Sequence, residues 1–280
     1  LLELEKYLKI AESPQKTLLV LEMIVNTLFD LTPSQADFLP ADTWKVAISN
    51  FARVLSLLHK DRTLSFPNLV ILFERLDNEF IKSLQFIDPL TQQYVNRFKD
   101  EMLILDIGER VFELCVPSQQ ASVAVRLIEH LYYRKQEDHE RLFKKQRETI
   151  PQILSEMSKS WTAKADTSVA VTFEAPSVIS EDLHSVLIRL SNLVFAETAS
   201  QSNTIQVLQN AKCVVSLIYH LALRGDWERA SELVLRTRIG DSLNQMVERD
   251  LTVMIGYNSA ICQLGICAFR CGLLTEAHHL

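Results

Sequence analysis

Glycine and proline are both scarce in this sequence. Its 280 residues contain six Gly and eight Pro, against an average glycine usage of about 7%. Tight turns between strands depend on residues that tolerate positive φ, above all glycine. A fold of many short strands is therefore excluded, and the stretches between the prolines are long enough for helices.

Several functional signatures are also absent. The five cysteines have no spacing typical of a disulfide framework, which indicates a reducing compartment. The sequence has no glycine-rich phosphate loop, no G-x-S-x-G elbow and no H-E-x-x-H pattern, and we expect no membrane span. A net charge of -6 argues against a surface that coats nucleic acid throughout. These absences favour a folded, non-catalytic protein without a cofactor, a metal or a small-molecule substrate.

Apolar residues recur at steps of three and four between the prolines, as in Leu18, Leu21, Val25 and Leu28. This period is typical of helices with one buried face and predicts an all-α fold. At Asp88-Pro89 we expect a helix start, with Asp88 as the cap and Pro89 as the first helical residue. The apolar stripe of that helix is predicted to run through Leu90, Tyr94, Phe98, Met102 and Leu105.

One polar segment has no helical period. Residues 158–182, rich in Ser, Thr and Ala with a short VAVTF run, are predicted to form an exposed flexible linker. A two-strand flap is the alternative. The predicted domains are an N-terminal helical block at 1–157, this linker, and helical repeats at 183–280.

The C-terminal block contains an internal repeat. LIYHLALRGDWERA at 217–230 and LGICAFRCGLLTEA at 264–277 superpose at an offset of 47 residues. Each unit is predicted to be a helix, a glycine turn and a second helix, as in tetratricopeptide- or HEAT-like hairpins, although the tetratricopeptide period is about 34. Such hairpins stack into a superhelix because none buries its apolar face alone.

Three cysteines, Cys262, Cys267 and Cys271, lie close together near the C-terminal end. In the repeat, Cys262 takes the place of Val215, so we expect it to be buried. Cys267 and Cys271 are one turn apart and have only His278 as a possible third ligand, whereas a zinc site needs four convergent groups. The pattern favours packed helix faces. The EDHE run around His139 is likewise interpreted as a solvated helix face.

One helix carries a concentration of positive charge. Arg141, Lys144, Lys145 and Arg147 lie in the run ERLFKKQRE and could contact phosphate groups of RNA. The alternative is that nearby acidic residues pair with them at helical spacing and the face is merely hydrated.

Three stretches resemble the family of the c subunit of eukaryotic translation initiation factor 3. The first is ERLDNEFIKSLQFIDPLTQQYVNRFKDE at 74–101, the second is Ile218-Tyr219-His220 with Trp227, and the third is QLGICAFRCG at 263–272. Matches to the family pattern in the first stretch are Glu74, Arg75, Leu76, Asp77, Glu79, Phe80, Lys82, Asp88, Pro89, Gln93, Tyr94, Val95, Lys99, Asp100 and Glu101.

The resemblance implies a helical-repeat arm that precedes a PCI-type winged-helix module outside these residues. It also implies a cytoplasmic, non-catalytic scaffold whose partners are the a and e subunits of the same factor and the proteins and rRNA of the small ribosomal subunit. Two alternatives remain: a PCI-type scaffold subunit of the proteasome lid or signalosome, and a metal-dependent enzyme using Cys267 and Cys271.

Overall fold

The described part of the protein consists of helices and short connections between them. The computed structural model describes residues 2–30, 38–162, 176–200, 204–241 and 251–280, and no strand occurs among them. This confirms the all-α prediction. The helices are α1 Leu2–Ile10, α2 Pro14–Asp30, α3 Ala41–Lys60, α4 Leu69–Phe86, α5 Gln92–Lys99, α6 Glu101–Leu114, α7 Pro117–Leu131, α8 Gln136–Thr162, α9 Leu183–Ser200, α10 Thr204–Leu223, α11 Trp227–Thr237, α12 Leu251–Arg270 and α13 Leu274–His279.

The chain divides into two compact units. Unit 1 comprises Leu1–Cys115 and Lys144–Val178, and unit 2 comprises Val116–Phe143 and Ile179–Leu280. These limits differ from the predicted boundaries at 157 and 183. The reason is that α7, which lies early in the sequence, packs against α9 and α10.

The predicted linker lies largely outside the described residues. Residues 163–175 are among those not described, so the linker and its two-strand alternative stay predictions there. Residues 158–162 continue α8. On the other side of the gap, Val178 and Ile179 are buried.

Unit 1 is built around aromatic side chains of α3 and α4. Trp44, Phe51, Phe73 and Phe80 are among its largest fully buried residues. The indole N–H of Trp44 donates to the carbonyl oxygen of Leu76 at 2.9 Å. Because a buried indole N–H needs an acceptor, this bond fixes the position of α3 relative to α4.

The helix predicted to start at Asp88-Pro89 starts three residues later. Thr91 is the N-cap of α5, its Oγ1 accepting from the Tyr94 N–H at 3.3 Å, while Asp88 Oδ1 accepts from the Leu90 N–H at 2.9 Å. The predicted stripe is also wrong, since Leu90 is 95% exposed and Asp100 separates α5 from α6. Asp88 forms a local turn instead of a cap, a competition typical of short polar side chains.

The repeat prediction is confirmed in unit 2 by two matching turns. Gly225 and Gly272 have φ of +85° and +79°. After α10 the N–H of Asp226 donates to the Leu221 carbonyl, and after α12 the N–H of Leu273 donates to the Ala268 carbonyl, both at 3.0 Å. The same backbone hydrogen-bond pattern at the same offset shows that both helices end in a Schellman-type turn.

The first helices of the two repeats share one buried face, on which Leu217 and Leu264 are equivalent, and α10 buries a second face as well. Val215 of α10 is buried, but Cys262, which the offset of 47 places on it, is exposed. The prediction that Cys262 fills a core position is therefore wrong. Helix α12 packs on α10 through another face, whose buried residues are Val253, Ala260, Leu264, Cys267 and Ala268.

Helix α12 also departs from the expectation of no membrane span. It is long and apolar enough, with a mean hydropathy of 1.4, to meet the length and composition criterion for a membrane-crossing helix. A core helix of a folded domain can meet the same criterion, and α12 contributes Leu264 and Cys267 to the packing of unit 2.

Candidate nucleic-acid interface

The four basic residues singled out in the sequence all lie on α8. Its first turn contains Glu137 and Asp138, where negative charge is favoured by the helix dipole. Lys144 and Lys145 are exposed, and neither forms an ion pair within the part of the chain that the structure describes. These two lysines are the members of the group with free ammonium groups.

Arg147 has a partner inside unit 1. Its Nη2 lies 3.3 Å from Oε2 of Glu109 on α6, and the side chains are 19% and 0% exposed. The other oxygen of Glu109 accepts from Nε2 of the buried Gln146 at 3.3 Å. A buried carboxylate is tolerated only when it is paired and hydrogen-bonded, so Arg147 neutralises a core charge.

Arg141 is engaged more weakly. Its Nη2 lies 3.0 Å from Oδ1 of Asp138, with both side chains more than half exposed. An exposed helix pair of this kind contributes only about 0.3–0.5 kcal/mol and is screened by salt. Arg141 can therefore exchange its carboxylate partner for a phosphate, whereas Arg147 would have to break its ion pair with the buried Glu109.

His139 is not part of a solvated face. It is buried, and its Nε2 lies 2.8 Å from the carbonyl oxygen of Ser180. Burial lowers its pKa, while the Ser180 hydrogen bond acts in the opposite direction. The prediction for the EDHE run is thus wrong at His139, although Glu137, Asp138 and Glu140 are exposed.

The residues of the 74–101 stretch hold unit 1 together. Arg75 stacks over Phe29 at 4.2 Å and lies 3.5 Å from Asp30. Glu79 accepts from the backbone N–H of Leu39 at 3.0 Å. These contacts join α4 to α2 and to the chain before α3, so the most recognisable part of the sequence is structural.

Arg97 is a buried cation that the sequence analysis did not single out. Its guanidinium lies 4.0 Å from the Trp44 ring and 4.9 Å from the Phe80 ring. Its Nε donates to Ser83 Oγ at 2.7 Å, and Nη1 donates to Asp100 at 3.2 Å. Burial lowers its pKa, and Asp100 opposes that effect.

Two aromatic rings stabilise a cation together only where the fold brings both rings next to it. No local sequence signal shows that Trp44 and Phe80 come together in this way. Trp44 is 53 positions before Arg97 in the chain. The signal that could have found this site is the rarity of tryptophan, since a buried Trp with a neighbouring Arg is a frequent anchor.

The three C-terminal cysteines do not converge. Cys267 is buried, while Cys262 and Cys271 are exposed. No group of three or more His, Cys, Asp or Glu side chains that could hold a metal ion occurs among the described residues.

Helix hairpins joined by glycine turns, with a further helix that carries exposed lysines, define an all-α helical-repeat protein. Residues 66–280 match the family described as "Eukaryotic translation initiation factor 3 subunit 8 N-terminus". The chain belongs to this family.

Similar proteins are named as the C subunit of eukaryotic translation initiation factor 3. The relative from Aspergillus fumigatus is 27% identical over 99% of this chain and 33% of its own length. The relative from Coccidioides immitis is 27% identical over 99% of this chain and 33% of its own length. The Phaeosphaeria nodorum relative is 26% identical over 99% of this chain and 34% of its length. The chain thus spans about a third of the length of these relatives.

Proposed function

We propose that the protein is a non-catalytic scaffold subunit of translation initiation factor 3, acting in the cytoplasm. It binds neighbouring subunits of that factor, the a and e subunits by resemblance, and the proteins and rRNA of the small ribosomal subunit while the initiation complex forms. The observation that carries this proposal is the family match over residues 66–280. The match also favours it over a proteasome-lid or signalosome subunit.

The geometry of α8 supports two different roles for the four basic residues. Lys144, Lys145 and Arg141 present exposed charge, and each can displace about one counterion from a phosphate. Arg147 does not belong to this contact, because its charge neutralises Glu109. The proposed RNA-contact surface therefore consists of Arg141, Lys144 and Lys145.

A charge-reversal experiment tests this surface. Lys144→Glu combined with Lys145→Glu, in the full-length protein within the assembled factor, should weaken binding to purified small ribosomal subunits. Each lysine that neutralises a phosphate contributes about 0.7–0.9 to the slope of log K against log salt. The double variant should flatten that slope by about 1.5.

The matched control is Lys6→Glu combined with Lys16→Glu, which changes the net charge equally at two exposed lysines of unit 1. If both pairs weaken binding alike, the effect belongs to overall charge and the α8 surface is not a contact. Purification of the tagged protein tests the wider proposal, because recovery of proteasomes instead of small ribosomal subunits would replace it with the lid alternative.

A further inference from the structure

Two thiols lie one helical turn apart where α12 ends in unit 2. Cys267 is 1% exposed, and Cys271, one helical turn later, is exposed. The N–H of Cys271 donates to the carbonyl oxygen of Cys267 at 3.0 Å, so both side chains leave the backbone on the same side. The two thiols therefore lie one turn apart along one side of α12, and of the two only Cys271 is open to solvent.

The two thiols differ in reactivity. Burial, followed by the charge and hydrogen bond of Cys271, raises the pKa of Cys267 to about 11, so Cys267 stays protonated at neutral pH. Cys271 Sγ lies 3.9 Å from the carbonyl oxygen of Gly225 at the surface. Because oxidants attack accessible sulfur, a small oxidant from solution reaches Cys271 first and finds a second thiol beside it.

We propose that Cys267 and Cys271 form a peroxide-sensitive dithiol that closes to an intrachain disulfide. Hydrogen peroxide transfers one oxygen to the Cys271 sulfur; the O–O bond breaks, and the released hydroxide takes up the proton of the Cys271 thiol to become water. The Cys267 sulfur then attacks the resulting sulfenic acid, losing its proton. The S–S bond forms, the S–O bond breaks and a second water leaves. The two sulfurs together lose two electrons, which reduce the peroxide.

Closure requires a local change of the backbone. Residues one turn apart in a helix have Cβ atoms about 5–6 Å apart, whereas a disulfide needs about 3.5–4.5 Å. The pair sits where this change is easiest, because α12 ends at Arg270 and Gly272 follows in a left-handed conformation. A disulfide that forms against the native geometry is readily reduced, so the bond is reversible.

Closure also alters the packing of unit 2. Cys267 belongs to an apolar cluster that includes Leu221, Ala222, Ala230 and Leu264, with Trp227 packed against it. Drawing the Cys267 sulfur towards Cys271 removes it from this cluster. Oxidation therefore loosens the contact of α12 with the α10–α11 hairpin, and reduction restores it.

Peptide mapping after peroxide treatment tests the proposal in the full-length protein. Trypsin cleaves after Arg270, which lies between the two cysteines, so the disulfide alone joins peptide 250–270 to the peptide that begins at Cys271. In the 280-residue chain, free thiols should fall from five to three. The joined peptides should disappear with dithiothreitol, and Trp227 fluorescence should shift and recover with them.

Single substitutions identify the sulfurs. Cys262→Ser, at an exposed cysteine of the same helix, should leave the joined peptides at the wild-type level, and Cys271→Ser should abolish them. In Cys267→Ala the sulfenic acid at Cys271 should persist and react with dimedone. The proposal is overturned if wild-type Cys271 is oxidised to sulfinic acid while Cys267 stays reduced, if the bond joins two chains, or if the joined peptides require Cys262.

Discussion

Two histidines in unit 2 have pKa values that differ from the ordinary value of a histidine. His184 of α9 and His220 of α10 stack with ring centroids 5.7 Å apart and planes 16° from parallel. Burial, and then the nearby charges of His184 and Arg224, lower the pKa of His220 to about 4. Burial and the charge of Arg224 also lower the pKa of His184. Both shifts favour the neutral form of the imidazole.

This pair predicts acid sensitivity of unit 2. The folded-state pKa of His220 lies below the unfolded value of about 6.5, so the unfolded chain takes up the proton first as pH falls. Stability is complete above pH 6.5 and is lost progressively towards pH 4. For His220 we expect a loss of about 2 kcal/mol between pH 7.5 and 5, measured by urea denaturation.

The comparison variant is His220→Gln, which keeps a polar side chain without a titration in this range. Carboxylates with lowered pKa, such as Asp182, also lose stability in acid, and they do so equally in both proteins. The difference between the two pH profiles therefore isolates the histidine. Parallel profiles would show that His220 does not carry the acid sensitivity.

At the scale of elements, the position of α8 in unit 1 depends on Glu109 of α6. Gln146 and Arg147 are consecutive residues of α8, and each contacts one oxygen of this carboxylate. Burial raises the pKa of the neighbouring Asp106. The charge of Arg110, and after it the charge of Arg147, acts in the opposite direction. The ion pair and the hydrogen bond of Glu109 therefore link α6 to α8.

Removing Arg147 should be costly for stability. Arg147→Met leaves the Glu109 carboxylate buried without its guanidinium, and we expect the free energy of unfolding to fall by about 3 kcal/mol. Combining it with Glu109→Leu should restore most of that loss, because the buried carboxylate that Arg147 neutralises is then removed as well. A double-mutant cycle in urea measures both values, and a loss below about 0.5 kcal/mol in Arg147→Met would contradict the assignment.

Helix α12 has two apolar faces, only one of which is packed within the described residues. Leu264 is 1% exposed and Phe269 is 65% exposed. Leu264→Ala should lower the free energy of unfolding by about 3 kcal/mol through cavity formation. Phe269→Ser should change it by less than about 0.5 kcal/mol, although the repeat aligns Phe269 with the buried Ala222.

These two variants are matched tests of a single helix, measured by chemical denaturation. Equal losses would mean that the outer face of α12 is also packed. Such a result would restore the face assignment that the 47-residue superposition predicted for Cys262, in addition to the packing through Leu264 and Cys267.

At the scale of the whole molecule, sequence order and spatial units differ. Helix α7 belongs to unit 2 together with the helices beyond residue 183. Lys212 of α10 lies 3.2 Å from Glu129 of α7, and Gln209 donates to Ser122 at 2.9 Å. Tyr132, just after α7, meets Tyr219 edge to face with ring centroids 5.2 Å apart.

This arrangement predicts the behaviour of fragments. A fragment of residues 183–280 lacks α7 and exposes the apolar sides of α9 and α10 that α7 covers. We expect it to unfold without a cooperative transition, whereas residues 116–280 should melt cooperatively. Thermal melting followed by circular dichroism distinguishes the two, and a cooperative transition in 183–280 would support the sequence-based boundary instead.

The stretch that carries the family resemblance also supplies contacts within unit 1. The recognisable stretch at 74–101 holds unit 1 together through Arg75, Glu79 and Arg97. A scaffold that recognises partners through extended surfaces needs a rigid framework more than a catalytic constellation. Arg75 and Glu79, which match the family pattern, join α4 to α2 and to the chain before α3. Structural contacts of this kind are consistent with the proposed function.

The sequence by itself determined the class of fold. Scarce glycine, an apolar period of three to four and the paired turns at Gly225 and Gly272 follow from local backbone preferences, which act within one or two helical turns. The family resemblance and the concentration of basic residues on α8 could also be recognised from the sequence alone. The cap at Thr91 was missed because Asp88 offered an equally good local signal.

Only the tertiary structure decided which neighbour covers each face. It placed Cys267 rather than Cys262 in the core, removed Arg147 from the exposed basic group, buried His139 and joined α7 to α10. The physical reason is that periodicity shows that a helix has an apolar side, whereas burial and ion pairing depend on residues far apart in the chain. Glu109 and Arg147, 38 positions apart, acquire their roles only when α6 and α8 meet.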